Sequence, residues 1–120
     1  MDDMDDWDVI YSYTRKQAIE DEVLLEIHEK LLKESGIKVP SVFTSTLFHS
    51  ILKDDDPDIE FVNQLILLKE IHAGIVLEKT NSNTINFKKK VGNFIYDIRV
   101  EIGPDDNWKP CLTIGFPEDF

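Results

Sequence analysis

Long apolar runs are missing from this chain. The longest is Leu65-Ile-Leu-Leu68, far short of the roughly 20 residues that cross a bilayer, so no membrane span is expected. Cysteine is almost absent. Cys111 is the only one, which excludes an intramolecular disulfide and fits a reducing cytoplasm. The opening Met1-Asp-Asp-Met-Asp-Asp has neither the basic start nor the apolar run of a signal peptide. The expected location is therefore the cytoplasm.

Bases are scarce as well. Lys and Arg number 13 against 24 Asp and Glu, a net charge of −11. The shortage is local. Residues 1–60 hold 16 acids and 6 bases, whereas residues 61–120 hold 8 and 7. Phosphate contact needs Lys and Arg, so the first half is a poor binder of nucleic acid or of an anionic membrane. A basic protein groove is the partner its charge suits. Lys88-Lys-Lys90 is the one basic run, and on a strand three lysines read as protection of an unpaired edge.

What is present suits one globular core. The chain has 120 residues, 42% of them hydrophobic, enough to bury about two-thirds of its unfolded surface without a metal or a disulfide. Residues 1–8 carry five aspartates and are expected to form a disordered tail. Residues 9–120 are expected to form a single α+β domain. Its helical N-terminal half, three or four helices, would pack on a C-terminal antiparallel meander of three or four strands.

The pattern supports that division. Val9–Tyr13 reads as a short strand or extended lead-in. Thr14 and Gln17 have capping-box spacing at the start of a helix. Leu24, Ile27 and Leu31 fall at helical spacing, so this helix could run to Ser35 and close at Gly36. A link around Pro40 follows. Thr44 or Ser45 would cap a helix reaching Leu52. Asp54-Asp-Asp-Pro-Asp58 breaks it and opens the next, since proline and acids suit a first helical turn. There Phe61, Leu65, Leu68 and Ile71 make the apolar stripe, with Val62, Ile66 and Ile75 beside it and Gly74 near its end. From residue 75 the period becomes that of strands: 75–80, 84–91, 94–102 and 108–116. Gly92-Asn93 reads as a tight turn, and 103–107 as a loop.

Few residues signal chemistry. His28, His49 and His72 are about twenty residues apart, unlike the tight spacing of a metal site. They read as surface or half-buried helical residues, and neither metal nor cofactor is expected. Cys111 lies in an expected strand without a nucleophile motif, so no catalytic residue is assigned. The acids Asp54, Asp55, Asp56, Asp58 and Glu60 lack the spacing and central glycine of a calcium loop. They read as a solvated helix start, or as carboxylates imitating phosphates to Arg and Lys of a partner.

Two stretches carry a resemblance. One is Val9-Ile-Tyr-Ser-Tyr-Thr-Arg-Lys-Gln-Ala-Ile-Glu-Asp21 with Val23-Leu24. The other is Ile102-Gly-Pro-Asp-Asp106 with Lys109-Pro and Thr113-Ile-Gly-Phe-Pro-Glu-Asp119. Together they resemble a family of small plasmid- and phage-encoded proteins with no assigned chemistry. Its members read V-I-x-x-Y-T-R-x-Q-A-I-x-D-G-V-L near the start and G-P-G-D-D … P-x-x-T-I-x-x-P-x-D near the end. The resemblance runs through Pro40–Thr44 and covers nearly the whole chain. Glu22 stands where members carry Gly, and Asp105 replaces the second Gly of G-P-G. A glycine after Asp21 implies a turn there, which favours a break near residues 20–22 over one long helix.

Setting rather than chemistry then suggests a role. The leading expectation is a non-enzymatic accessory protein of a mobile element. It would inhibit a host nucleic-acid-acting defence enzyme, such as a CRISPR or restriction effector, by acting as an acidic DNA mimic. Its binding surface would comprise Asp54, Asp55, Asp56 and Asp58 with Glu20, Asp21 and Glu22. A second expectation is a small enzyme or anion-binding module built on the shared polar residues Tyr13, Arg15, Gln17, Asp105 and Asp119. A third is a homo-oligomer joined through an exposed last strand with Trp108 and Phe116.

Overall fold

The computed structural model describes residues 14–77, 83–104 and 108–120. The expected lead-in strand at Val9–Tyr13, the acidic tail and residues 78–80 of the expected strand at 75–80 lie outside them, and 75–77 is helix, not strand, because the helix from Pro57 continues to Leu77.

Thr14 and Gln17 form the capping box in both directions. Thr14 Oγ1 accepts the Gln17 amide at 3.1 Å and Gln17 Oε1 accepts the Thr14 amide at 3.0 Å. The helix they start, α1 (Arg15–Glu20), is short. It ends in a turn where Glu22 takes φ +60°. The long-helix alternative therefore fails, and the chain turns at 21–22. Leu24–Glu26 is a strand, β1. Its Leu24 and Leu25 suit an apolar strand as well as a helix, because so short a run fixes no period.

His28 begins α2 (Glu29–Ser35) by accepting the Lys30 amide on Nδ1 at 3.1 Å. Gly36 closes it at φ +87°, as a left-handed C-terminal residue should. The link around Pro40 leads into a strand, β2 (Ser41–Thr44), all four residues of which are buried. Thr44 then caps α3 (Ser45–Leu47), its Oγ1 accepting the Leu47 amide at 3.3 Å. This helix runs on as a π-helical turn through Phe48–Leu52. The next, α4 (Pro57–Leu77), passes Gly74 without stopping. Strands β3 (Thr84–Val91), β4 (Phe94–Pro104) and β5 (Pro110–Gly115) complete the sheet, and a 3₁₀ turn at Pro117–Asp119 follows.

The class is α+β, but the division into a helical half and a strand half does not hold. Among the described residues the sheet has five strands in the order β1-β2-β5-β4-β3. Two come from the first half, and α4 reaches into the second. β3, β4 and β5 pair antiparallel, as a meander does. β2 then joins β5 in parallel, placing β5 inside the sheet. The last strand is therefore no free edge. Non-local pairing between residues 41–43 and 112–114 leaves no mark in local periodicity.

Register explains the layers. Leu25, Phe43, Ile114, Val100 and Ile85 form one row across all five strands. Phe43, Ile114, Val100 and Ile85, with Ile98 and Leu112, meet α2, α3 and α4 through Leu31, Leu47, Leu67, Leu68 and Ile71. The opposite face carries the row Glu26, Val42, Thr113, Glu101 and Thr84. There α1 lies against β5, and Ala18, Val42 and Cys111 are buried outside the main core. Helices thus occupy both faces, and α1 sits apart from the rest.

Candidate functional site

The start of α4 is built by its own acids. Asp56 Oδ1 accepts the Asp58 amide at 2.9 Å, and Asp54 Oδ1 accepts the Asp56 amide at 2.9 Å. Glu60 Oε1 reaches back to the Asp54 amide at 3.3 Å. Short acceptor side chains satisfy donors that a first helical turn leaves open, and their charge suits the positive helix end. Asn63 Nδ2 ties the preceding segment to α4 through the Leu52 carbonyl at 3.1 Å. Asp54, Asp55, Asp56 and Asp58 are all exposed. The carboxylates are thus displayed on a backbone fixed at several points.

Beside them lies a hollow of about 500 Å³. Leu25, Phe43, Phe48, Phe61 and Pro57 contribute its apolar lining, and Glu26 and Glu60 its acidic side chains. Lys30 Nζ sits 5.7 Å over the Phe61 ring. A rim of mixed charge, Glu26 and Glu60 with Lys30 and His28, around a partly aromatic floor offers a partner both polar contacts and a place for an apolar side chain. The hollow joins β1, α2, the π-helical turn and α4, elements separated in sequence, so residue spacing could not reveal it. The break at Asp54–Asp58 was the only local signal.

The other acids lie elsewhere. Glu20 ends α1, and Asp21 and Glu22 make the turn after it. Since α1 covers the opposite sheet face from α4, the two acidic groups expected to form one surface occupy different sides of the sheet.

Arg15, Gln17 and Asp119, the described residues of the expected polar site, each hold the fold together. Arg15 donates through Nη1 to Thr113 Oγ1 and through Nη2 to the Leu112 carbonyl, each at 3.0 Å, holding α1 on β5. Gln17 completes the cap. Asp119 is a clamp at the far end of β5. Its Oδ2 accepts from Thr44 Oγ1 at 2.7 Å and the Phe116 amide at 2.9 Å, and its Oδ1 accepts from Thr46 Oγ1 at 2.7 Å. It binds the C-terminal turn to the start of α3. Thr44 and Thr46 carried no signal of this partner, 75 and 73 residues away. Tyr13 and Asp105 lie outside the described residues.

A second, open groove of about 920 Å³ runs between α1, α2 and the 36–40 link. Ile19, Ile27 and Val39 contribute to its apolar lining, and Arg15, Lys16, Lys33 and Lys38 with Glu20, Glu26 and Glu29 its charges. The histidines remain separate. His28 caps α2, His49 Nδ1 lies 2.8 Å from the Ser45 carbonyl, and His72 packs on Gly36. Among the described residues no three His, Cys, Asp or Glu gather as metal ligands would. Cys111 is buried, its thiol 3.4 Å from the Gly103 carbonyl. No helix among the described residues is long and apolar enough to cross a membrane. Lys88, Lys89 and Lys90 fall on β3, a sheet edge. Lys88 pairs with Asp97 at 2.9 Å and Lys89 with Glu70 of α4.

No protein-family model, curated protein or solved structure matches the chain. The geometry of these surfaces is therefore the ground for a functional reading.

Proposed function

We propose that the chain is a non-enzymatic, cytoplasmic interaction protein whose ordered acidic helix start engages a basic protein surface. The exposed carboxylates of Asp54, Asp55, Asp56 and Asp58 carry this reading. They combine the sign a Lys- and Arg-rich groove recognises with a backbone held by Asp54, Asp56 and Glu60. Preorganisation lowers the ordering cost of binding. The partner class is a nucleic-acid-binding enzyme, because its groove selects rows of negative charge. The resemblance to plasmid and phage proteins makes a host defence enzyme, a restriction or CRISPR effector, the natural target.

The test is capture from nuclease-treated bacterial lysate on immobilised protein. At roughly 50 mM salt, charge contacts reach well beyond 10 Å, and at roughly 500 mM they are screened. Nucleic-acid-binding proteins should be retained in the first condition and released in the second. An absence of any such protein at low salt would sink the proposal.

A further inference from the structure

The outer side of α4 is unlike the exposed face of an ordinary surface helix. Such a face is normally polar. Here Ile59, Val62 and Ile66 are 47%, 47% and 48% exposed. Leu67, Leu68 and Ile71 of the same helix are buried in the core. The exposed residues are not scattered. Ile59, Val62, Ile66, Lys69 and Ala73 follow one another at steps of three and four, all forming one line along the helix. That is the seam spacing by which helices pair. Lys69 and Ala73 are exposed as well.

Charge is distributed unevenly along the same line. Asp55 and Asp58 stand exposed at its N-terminal end, and Lys69 lies nearly three turns further on. We infer that this face joins two copies of the chain, with their α4 helices antiparallel about a two-fold axis. An antiparallel seam sets Val62 of each copy against Ile66 of the other. It also sets Lys69 of each against the other's Ile59, one residue from the other's Asp58. A parallel pair would instead stack lysine on lysine and aspartate on aspartate. Glu70, exposed beside Lys69, falls opposite the other's Asp58 in this register, but its carboxylate is paired with Lys89. The line is thus self-complementary about a two-fold axis, as a closed dimer requires.

The contact is modest. Three half-exposed side chains per copy fall short of the roughly 800 Å² per partner of a standard interface. A dissociation constant on the order of 10 µM is expected. Each copy is also strongly negative, so salt relieves repulsion between them. Dimerisation should therefore survive the salt that releases a basic partner, which separates this inference from the functional proposal.

The experiment is sedimentation velocity on the full chain from about 1 to 100 µM, in low and high salt, bracketing the expected constant. Monomer should give way to dimer as concentration rises, in both salts. Val62→Asp should abolish the dimer at every concentration. Lys69→Asp should weaken it by roughly tenfold or more, and Asp58→Lys added to Lys69→Asp should restore it. These positions are exposed, and matching thermal melts would show that the variants fold. A monomer at all concentrations would overturn the inference, as would a dimer indifferent to Val62→Asp. Failure of the charge exchange to restore association would overturn the antiparallel arrangement.

Discussion

Glu22 sits at φ +60° between α1 and β1, a backbone that costs an L-residue other than glycine roughly 1–2 kcal/mol. Glycine removes that cost but adds unfolded-chain entropy worth roughly 0.4–1 kcal/mol. Glu22→Gly should therefore stabilise the protein by about 0.5–1 kcal/mol, read from chemical denaturation midpoints at unchanged slope. Gly115 presents the opposite case. A Cβ there would lie 2.5 Å from Thr44 Cγ2 and 3.0 Å from Asp119 Oδ2. Gly115→Ala should cost roughly 1–3 kcal/mol through overpacking. Asp119→Ala removes acceptors from two hydroxyls and one amide. It should cost about 2 kcal/mol, since a hydrogen bond to a charged group is worth roughly 1.5–3 kcal/mol and this site is partly open to water. Asp119 was picked out from a shared motif as a candidate site residue. The structure gives it a holding role that the motif could not distinguish from chemistry.

At the scale of elements, legibility followed locality. The capping box at Thr14, the glycine closing α2 and the acidic start of α4 are all written within a few residues, and each was readable. The strands β1 and β2 were not. Leu24-Leu25-Glu26 is too short to set a period, and Val42-Phe43 looked like part of a link around Pro40. Both become strands through partners distant in sequence, β1 on β2 and β2 on β5. The outer residues Val62 and Ile66 were expected beside the packed stripe of α4, yet they face water. An apolar residue on every side of a helix conceals which side is inside. The start of α4 offers a clean test. Asn caps as well as Asp, so Asp56→Asn should leave stability nearly unchanged. Asp56→Ala should lower it by about 1 kcal/mol, measured by thermal or urea unfolding.

For the whole molecule, the sequence made its lopsided charge plain and hid how the sheet divides it. Glu20–Glu22 and Asp54–Asp58 read as one acidic surface along the chain. In the fold they adjoin helices that pack on opposite faces of the sheet. The molecule thus presents two acidic regions, each beside a hollow with apolar lining: Glu20 at the groove between α1 and α2, and Glu60 at the hollow by α4. Replacing Asp54, Asp55, Asp56 and Asp58 together by Asn removes four charges while retaining groups able to cap α4. The central claim is tested most directly by using this variant and the unaltered protein as parallel baits in low salt. A third bait should carry Glu20→Gln, Asp21→Asn and Glu22→Gln. The account expects the first variant to lose the basic partners that the unaltered protein and the third bait retain. Equal capture by all three would contradict it, because the acidity would then serve solubility and not a located surface.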